Sequence, residues 1–333
     1  MKAAVYYGPR DVRVEEVPTP TLGPGDALLR VRACGICGSD LHTYRHGLFE
    51  TLGVPAGGGR IMGHEFCGEV VEVSGDSPLK VGDRVCAIGM GGNAEYFQIP
   101  AELAPFAVPI PEGLSFVEAA TTEPLATSLH AVNLARPADG ETHVVLGAGI
   151  IGLGILQVLK ARYNLRTVVV DLADCRLEVA KKLGADEVIN AGREDAVRRV
   201  MELTGSEQLS FMPEPTGRAD VAYDAAGLAR GYTGVPVVQQ AMLMVRSEGR
   251  VVVVSVFEQD AAVDFNPLVR KGLSLLGSWA WSPDEFKDAL GLIASGKVDR
   301  KPLISHTFSL EAAAEAYETQ LRAEEAVKVV ITP

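Results

Sequence analysis

Cys37, His64 and Glu65 offer a thiolate, an imidazole and a carboxylate, two of them adjacent in "IMGHEF" (Ile61–Phe66) and the third in "ACGICGSDLH" (Ala33–His42). That donor set suits a zinc ion with one position left open. Neighbouring residues of a regular strand point to opposite faces. His64 and Glu65 can therefore share an ion only if the backbone bends, and Gly63 is the residue that lets it. Other readings stay open at this point. His64 and Glu65 alone would make an ordinary ion pair. Cys34 and Cys37 form a C-x-x-C pair, which suggests half of a structural zinc site or a redox couple. Its other half is missing, because Cys67 and Cys86 are isolated and Cys175 lies far downstream. A four-cysteine site from Cys34, Cys37, Cys67 and Cys86 is poorly spaced.

A second constellation lies at "VVLGAGIIG", where Gly147, Gly149 and Gly152 follow a hydrophobic run and open a helical one. The first glycine permits the turn, the second lets backbone approach a pyrophosphate, and the third lets helix and strand pack closely. The helix start, with Ile150 and Ile151, presents free N–H groups and a positive dipole end to phosphate. Asp171 ends the next strand, where an acid accepts from the ribose hydroxyls of a dinucleotide. A carboxylate there repels a 2′-phosphate, so NAD is expected over NADP, with Arg176 the nearby cation that would moderate the preference.

These groups need two kinds of scaffold. The first third of the chain carries short β-like runs ("KAAVYY", "DVRVEEVP", "DALLRVRACG", "CGEVVEV") between Gly, Pro and Asp turn signals. The span 53–60, "GVPAGGGR", reads as a loop. From Ser115 the rhythm changes, and "SFVEAATTEPLATSLHAVNLA" reads as helices interrupted at Pro124. Strands and helices then alternate through "TVVVD", "ADVAYDAAG" and "GRVVVVSV", the pattern of a parallel, doubly wound sheet. The expected class is α/β, with a β-rich domain over 1–125 and 279–333 and a nucleotide-binding domain over 126–278.

At 333 residues, 47% hydrophobic and 22% charged, the chain can bury a large core. A net charge of -12 argues against nucleic-acid binding. The apolar stretch His143–Ala161 is broken by glycines and Gln157 and falls short of the roughly 18–20 apolar residues of a membrane span. Five cysteines and no secretory signal after Met1 point to a reducing cytoplasm.

"CGICGSDLH", "GHEFCGEVVEV", "GDRV", "AEY", "EPLATSLHAV", "GAGIIGLG" and "GSWAW…LIASGKVD" occur in an order and spacing that resembles the zinc-dependent medium-chain dehydrogenases, over nearly the whole chain. The likeness is greatest to the branch of 2,3-butanediol, sorbitol and threonine dehydrogenases. It implies a GroES-like catalytic domain, a Rossmann domain, and a catalytic zinc on Cys37, His64 and Glu65, with Glu123 binding directly or through water. Two anionic ligands already neutralise the ion formally, so Glu65 and Glu123 are not expected to bind tightly together. Between "GDRV" and "AEY" only "CAIGMGGN" remains, where the family usually carries a four-cysteine lobe; one zinc per chain follows, without a structural one. A homodimer or homotetramer is implied, although that lobe often supports subunit contacts. "SEQLSFMPEPTG" (Ser206–Gly217) is an extension without a functional account.

The implied reaction is reversible oxidation of a secondary alcohol, a diol, polyol or sugar, to a ketone with NAD. Zinc depresses the pKa of a bound hydroxyl from near 16 towards about 7, roughly 12 kcal/mol at 1.36 per unit. Only a proton path is then needed, and Ser39 and His42, three apart in a helical turn, are by resemblance that path, through the nicotinamide ribose to solvent. Tyr44, Arg45 and His46 are plausible substrate-pocket residues; Trp279 and Trp281 read as core or interface, and His130, His143 and His306 as non-ligands. Rival readings are a threonine dehydrogenase, a zinc-free quinone or enone reductase, and a non-catalytic NAD-binding relative.

Overall fold

The computed structural model describes residues 1–51 and 53–333. The chain forms two compact units, Met1–Pro124 with Phe286–Pro333, and Leu125–Glu285. The first is built on a seven-stranded sheet. Its strands run Ile304–Ser309, Lys328–Thr332, Ala27–Gly35, Glu65–Val73, Arg84–Ala87 and Val108–Pro109, with Tyr96–Ile99 also paired to Ala27–Gly35. Register places Gly35 opposite Glu65 on one side and Val330 on the other. Residues near the two ends of the sequence thereby meet around one glycine. Leu29, Val31, Phe66, Val70, Val85 and Ile99 fill the core beneath.

A smaller four-stranded sheet contains Asp11–Glu16, Lys2–Gly8, Gly59–Ile61 and Val54–Ala56. The expected loop over 53–60 is thus a hairpin, turned by Gly57 and Gly58 at φ 54° and 91°. Glycine density disguised two short strands as a linker.

The second unit has the predicted parallel sheet. Its order is Glu187–Asn190, Arg166–Asp171, Thr142–Leu146, Ala219–Asp224, Val245–Val253, Ser274–Gly277, which is the doubly wound nucleotide-binding topology. The helix Ile150–Arg162 follows the first strand directly. Ser206–Gly217 closes on itself as a two-stranded ribbon, Ser206–Glu207 against Thr216–Gly217.

Two further expectations are corrected. Pro124 does not interrupt a helix. It lies in the first turn of Thr122–Ala135, where backbone N–H groups have no intrahelical acceptor and proline costs nothing, and the break falls at Ala120–Thr121. Trp279 is 75% exposed, which corrects the core half of its reading and leaves the interface half as it was. Among the described residues no helix is long and apolar enough to cross a membrane.

Candidate active site

Cys37 is the N-cap of the helix Gly38–His46, in extended conformation at φ -84° and ψ 161°. Its backbone N–H donates to Asp40 Oδ2 at 3.0 Å, a capping box that fixes the turn carrying the thiol. Gly63 adopts φ 93°, which turns the chain just before the strand that begins at Glu65. A Cβ there would lie 2.7 Å from Cys34 Sγ and 2.9 Å from Asn93, so space as well as φ requires glycine. The carbonyl of Gly63 accepts N–H bonds from Gly91 and Gly92 at 2.8 and 2.9 Å. The short connection between Arg84–Ala87 and Tyr96–Ile99 therefore braces the turn that presents His64 and Glu65.

The result is convergence. Donor atoms of Cys37, His64 and Glu65 all lie within 4.8 Å of one another, and this is the one such group among the described residues. Cys34, Cys67 and Cys86 are buried and outside it, which removes the four-cysteine reading. Glu123 is also outside it, in the first turn of Thr122–Ala135. Its charge is felt nonetheless: burial would lower the His64 pKa, but Cys37, Asp40 and Glu123 together hold it well above the ordinary value. A field that retains a proton on imidazole also attracts a divalent cation.

Glu65 is fully buried. Its Oε2 is ion-paired to the ammonium of Lys328, while Oε1 is left without a hydrogen-bond partner. A buried carboxylate left this way costs several kcal/mol unless something else binds it. A metal ion beside Cys37 and His64 answers that need, so the residues present fit the zinc that the donor set implies.

Ser39 and His42 are half-buried on the same helix, three residues apart as expected. Tyr44 is corrected: it is 3% exposed, packs in a tilted ring pair against Tyr317 and donates to Glu318, so it lines the core and not a substrate pocket. Arg45 and His46 remain half-buried. His143 is buried between Tyr223 and Glu141, and His130 contacts Glu285, both away from any candidate ligand group.

Sequence reasoning missed three charged neighbours. Asp40 stands 3.9 Å from His64 Nδ1 and was readable as the fourth residue of a C-x-x-D capping box. Lys328 and fully buried Arg300 were not readable, since only folding brings them to Glu65. Burial lowers the Arg300 pKa to about 9, against the opposing charge of Glu65.

In the second unit, Gly147 has φ 100° and a Cβ on Gly152 would lie 1.8 Å from the Gly147 carbonyl oxygen. Both glycines are thus demanded by the turn and by helix–strand packing. Gly149 differs. A Cβ there would meet nothing within 4 Å, and as N-cap it supplies no side-chain acceptor to the first turn at Ile150 and Ile151. That open, donor-rich space fits a pyrophosphate. Asp171 accepts N–H bonds from Ala148 at 2.6 Å, Leu172 at 2.7 Å and Ala173 at 2.9 Å, so its carboxylate braces the glycine turn. Arg176 is half-buried in the helix Asp174–Lys182.

Comparison with known proteins decides the family. Residues 23–112 match the model of the alcohol dehydrogenase GroES-like domain, and residues 151–295 that of the zinc-binding dehydrogenases. The chain is 33% identical to the erythritol/L-threitol dehydrogenase of Mycolicibacterium smegmatis, an alignment covering 100% of this chain and 98% of that one. This chain belongs to the zinc-dependent medium-chain alcohol dehydrogenases. The dehydrogenase is 32% identical to the (R,R)-butanediol dehydrogenase of Bacillus subtilis over 100% of both chains. Its fold matches the crystal structure of 2R,3R-butanediol dehydrogenase from Bacillus subtilis with a TM-score of 0.84 at 29% identity, covering 100% and 99% of the two chains. It is an oxidoreductase that acts on the CH–OH group of a small alcohol with zinc and a nicotinamide cofactor. Relatives named for diols and polyols disfavour the threonine reading.

Proposed function

We propose that this dehydrogenase oxidises a secondary hydroxyl of a diol or polyol, with NAD as acceptor. The observation that carries the reading is the convergence of Cys37, His64 and a buried Glu65 whose Oε1 has no hydrogen-bond partner. These three would hold the zinc, and Glu123 stands near enough to influence the site through its charge. When bound, zinc supplies Lewis acidity to the substrate oxygen and the nicotinamide accepts the hydride. The chain's own part is to orient and to move a proton. Ser39 takes the hydroxyl proton and His42, three residues on in the same helix, delivers it to solvent. Asp40 keeps the Cys37 turn in place.

Gly147, Gly149 and Gly152, with the amides of Ile150 and Ile151, would cradle the pyrophosphate. Asp171 at the strand end favours NAD over NADP, a preference that Arg176, in the first turn of the following helix, would moderate. We further infer one zinc per chain. The alignment with the erythritol/L-threitol enzyme is 379 positions long, yet all 333 residues of this chain fall within it, and residues 88–95 contain no cysteine. The catalytic domain would comprise 1–125 and 279–333 and the nucleotide-binding domain 126–278, in a cytoplasmic homodimer or homotetramer.

A panel of vicinal diols, linear polyols, inositols, sugars and threonine, assayed by NAD reduction, tests the reading. Diols or polyols should give the highest kcat/KM. Turnover confined to threonine, or metal-independent reduction of enones, would refute it.

A further inference from the structure

Lys328 and Glu65 form an ion pair in which both side chains are fully buried. Such pairs seldom repay their desolvation by mutual attraction alone. Three details set this one apart from a chance core pair. Lys328 Nζ also donates to the carbonyl of Ile36 at 2.7 Å, the residue just before Cys37. One ammonium thus reaches both the side chain of one candidate ligand and the backbone that carries another. Next, Gly35 pairs with Glu65 on one side and with Val330, two residues from Lys328, on the other, and its φ is not in the left-handed region. A Cβ on Gly35 would lie 2.3 Å from Glu65 Oε2 and 2.8 Å from Lys328 Cε, so glycine is needed there for room, and the room is what the pair occupies. Last, Glu65 Oε1 has no hydrogen-bond partner, leaving half of the carboxylate uncommitted beside Cys37 and His64.

We propose that Lys328 is a positioning residue of the metal centre, whose ammonium competes with the ion for the Glu65 carboxylate and so keeps Glu65 an exchangeable ligand. The proposal rests on the zinc reading above. With Lys328 in place, Glu65 has two cationic partners of comparable reach and commits fully to neither. Without it, Glu65 has one, and the ion also loses a repelling neighbour. Both effects act in the same direction, towards tighter metal retention and slower ligand exchange. Arg300, fully buried and sensing Glu65 through its charge, adds background potential.

The test is metal competition on the full-length protein, with a chromophoric chelator for zinc and the visible spectrum of the cobalt(II)-substituted protein. Wild type should take up one cobalt per chain with a thiolate charge-transfer band; failure at that step would defeat the zinc reading itself. Lys328→Met should hold zinc about tenfold more tightly, the scale on which outer-shell partners act, with a changed cobalt d–d envelope. Lys328→Arg should restore wild-type values. Introducing Glu65→Gln together with Lys328→Met should abolish the gain relative to Glu65→Gln alone. If Lys328→Met does not fold, Lys328→Gln, which keeps a donor but not the charge, takes its place with the same expectation. Wild-type or weaker affinity with an unaltered spectrum in the charge-removed variant, while wild type binds one metal, would overturn the proposal and leave the zinc centre standing.

Discussion

Removing the Cys37 sulfur deletes an anionic donor from a centre where, among the described residues, three candidate ligands converge. Cys37→Ala should therefore abolish turnover and zinc retention while NAD binding, followed by fluorescence titration, stays within about twofold of wild type, because the glycine turn lies in the other unit. Full activity in that variant would exclude the zinc assignment. At Asp171 the carboxylate braces the turn and, on the proposed cofactor preference, would repel an added phosphate. Asp171→Ser should shift the NADP:NAD ratio of kcat/KM upwards by about tenfold or more, equivalent to roughly 1.4 kcal/mol, with some loss for both cofactors as Ala148 loses its acceptor. An unchanged ratio would remove Asp171 from cofactor choice. Legibility at this scale followed residue chemistry. Cys37, His64 and Glu65 could be read because their types and the Gly63 bend announce a site. Lys328 could not, because nothing local marks it and its partner lies across a sheet pairing of distant segments.

Elements hold the site by constraints that sequence states only partly. The 88–95 connection reads as a deletion, yet its Gly91 and Gly92 amides grip Gly63, a bond pattern no spacing rule implies. Pro124 reads from sequence as a breaker, yet it sits in the first turn of Thr122–Ala135, where helix starts accept proline. A different constraint operates at Lys271, 2% exposed, whose Nζ donates to the Met242 carbonyl at 3.1 Å and to that of Val245, near the end of the helix Val237–Met244. The ammonium meets orphaned helix-end carbonyls there. Burial lowers its pKa from 10.5 to about 8. Between those values the unfolded chain holds a proton that the native state has released, so stability gains from Lys271 as pH rises through that window and loses as it falls. Against wild type, Lys271→Met should lack this rising component, worth at most roughly 3 kcal/mol over the full span, in midpoints of denaturant unfolding measured from pH 7.5 to 10.5. Parallel pH profiles for the two proteins would show that Lys271 is not buried as a suppressed cation.

For the molecule as a whole, the parallel sheet was legible because strand–helix alternation admits few other folds, and its strand order came with the glycine fingerprint. The first unit was less so. Its main sheet combines Ala27–Gly35 with Lys328–Thr332, a pairing that local periodicity cannot encode. The family resemblance supplied what periodicity lacked there. At this scale the account requires one metal per chain, with activity that depends on it. The most direct measurement is to strip the protein of metal, add zinc back stepwise, and follow NAD reduction by a vicinal diol. Activity should rise linearly from near zero and level off at one zinc per chain. Full turnover by the metal-free protein, or a plateau reached only at two zinc ions per chain, would contradict it.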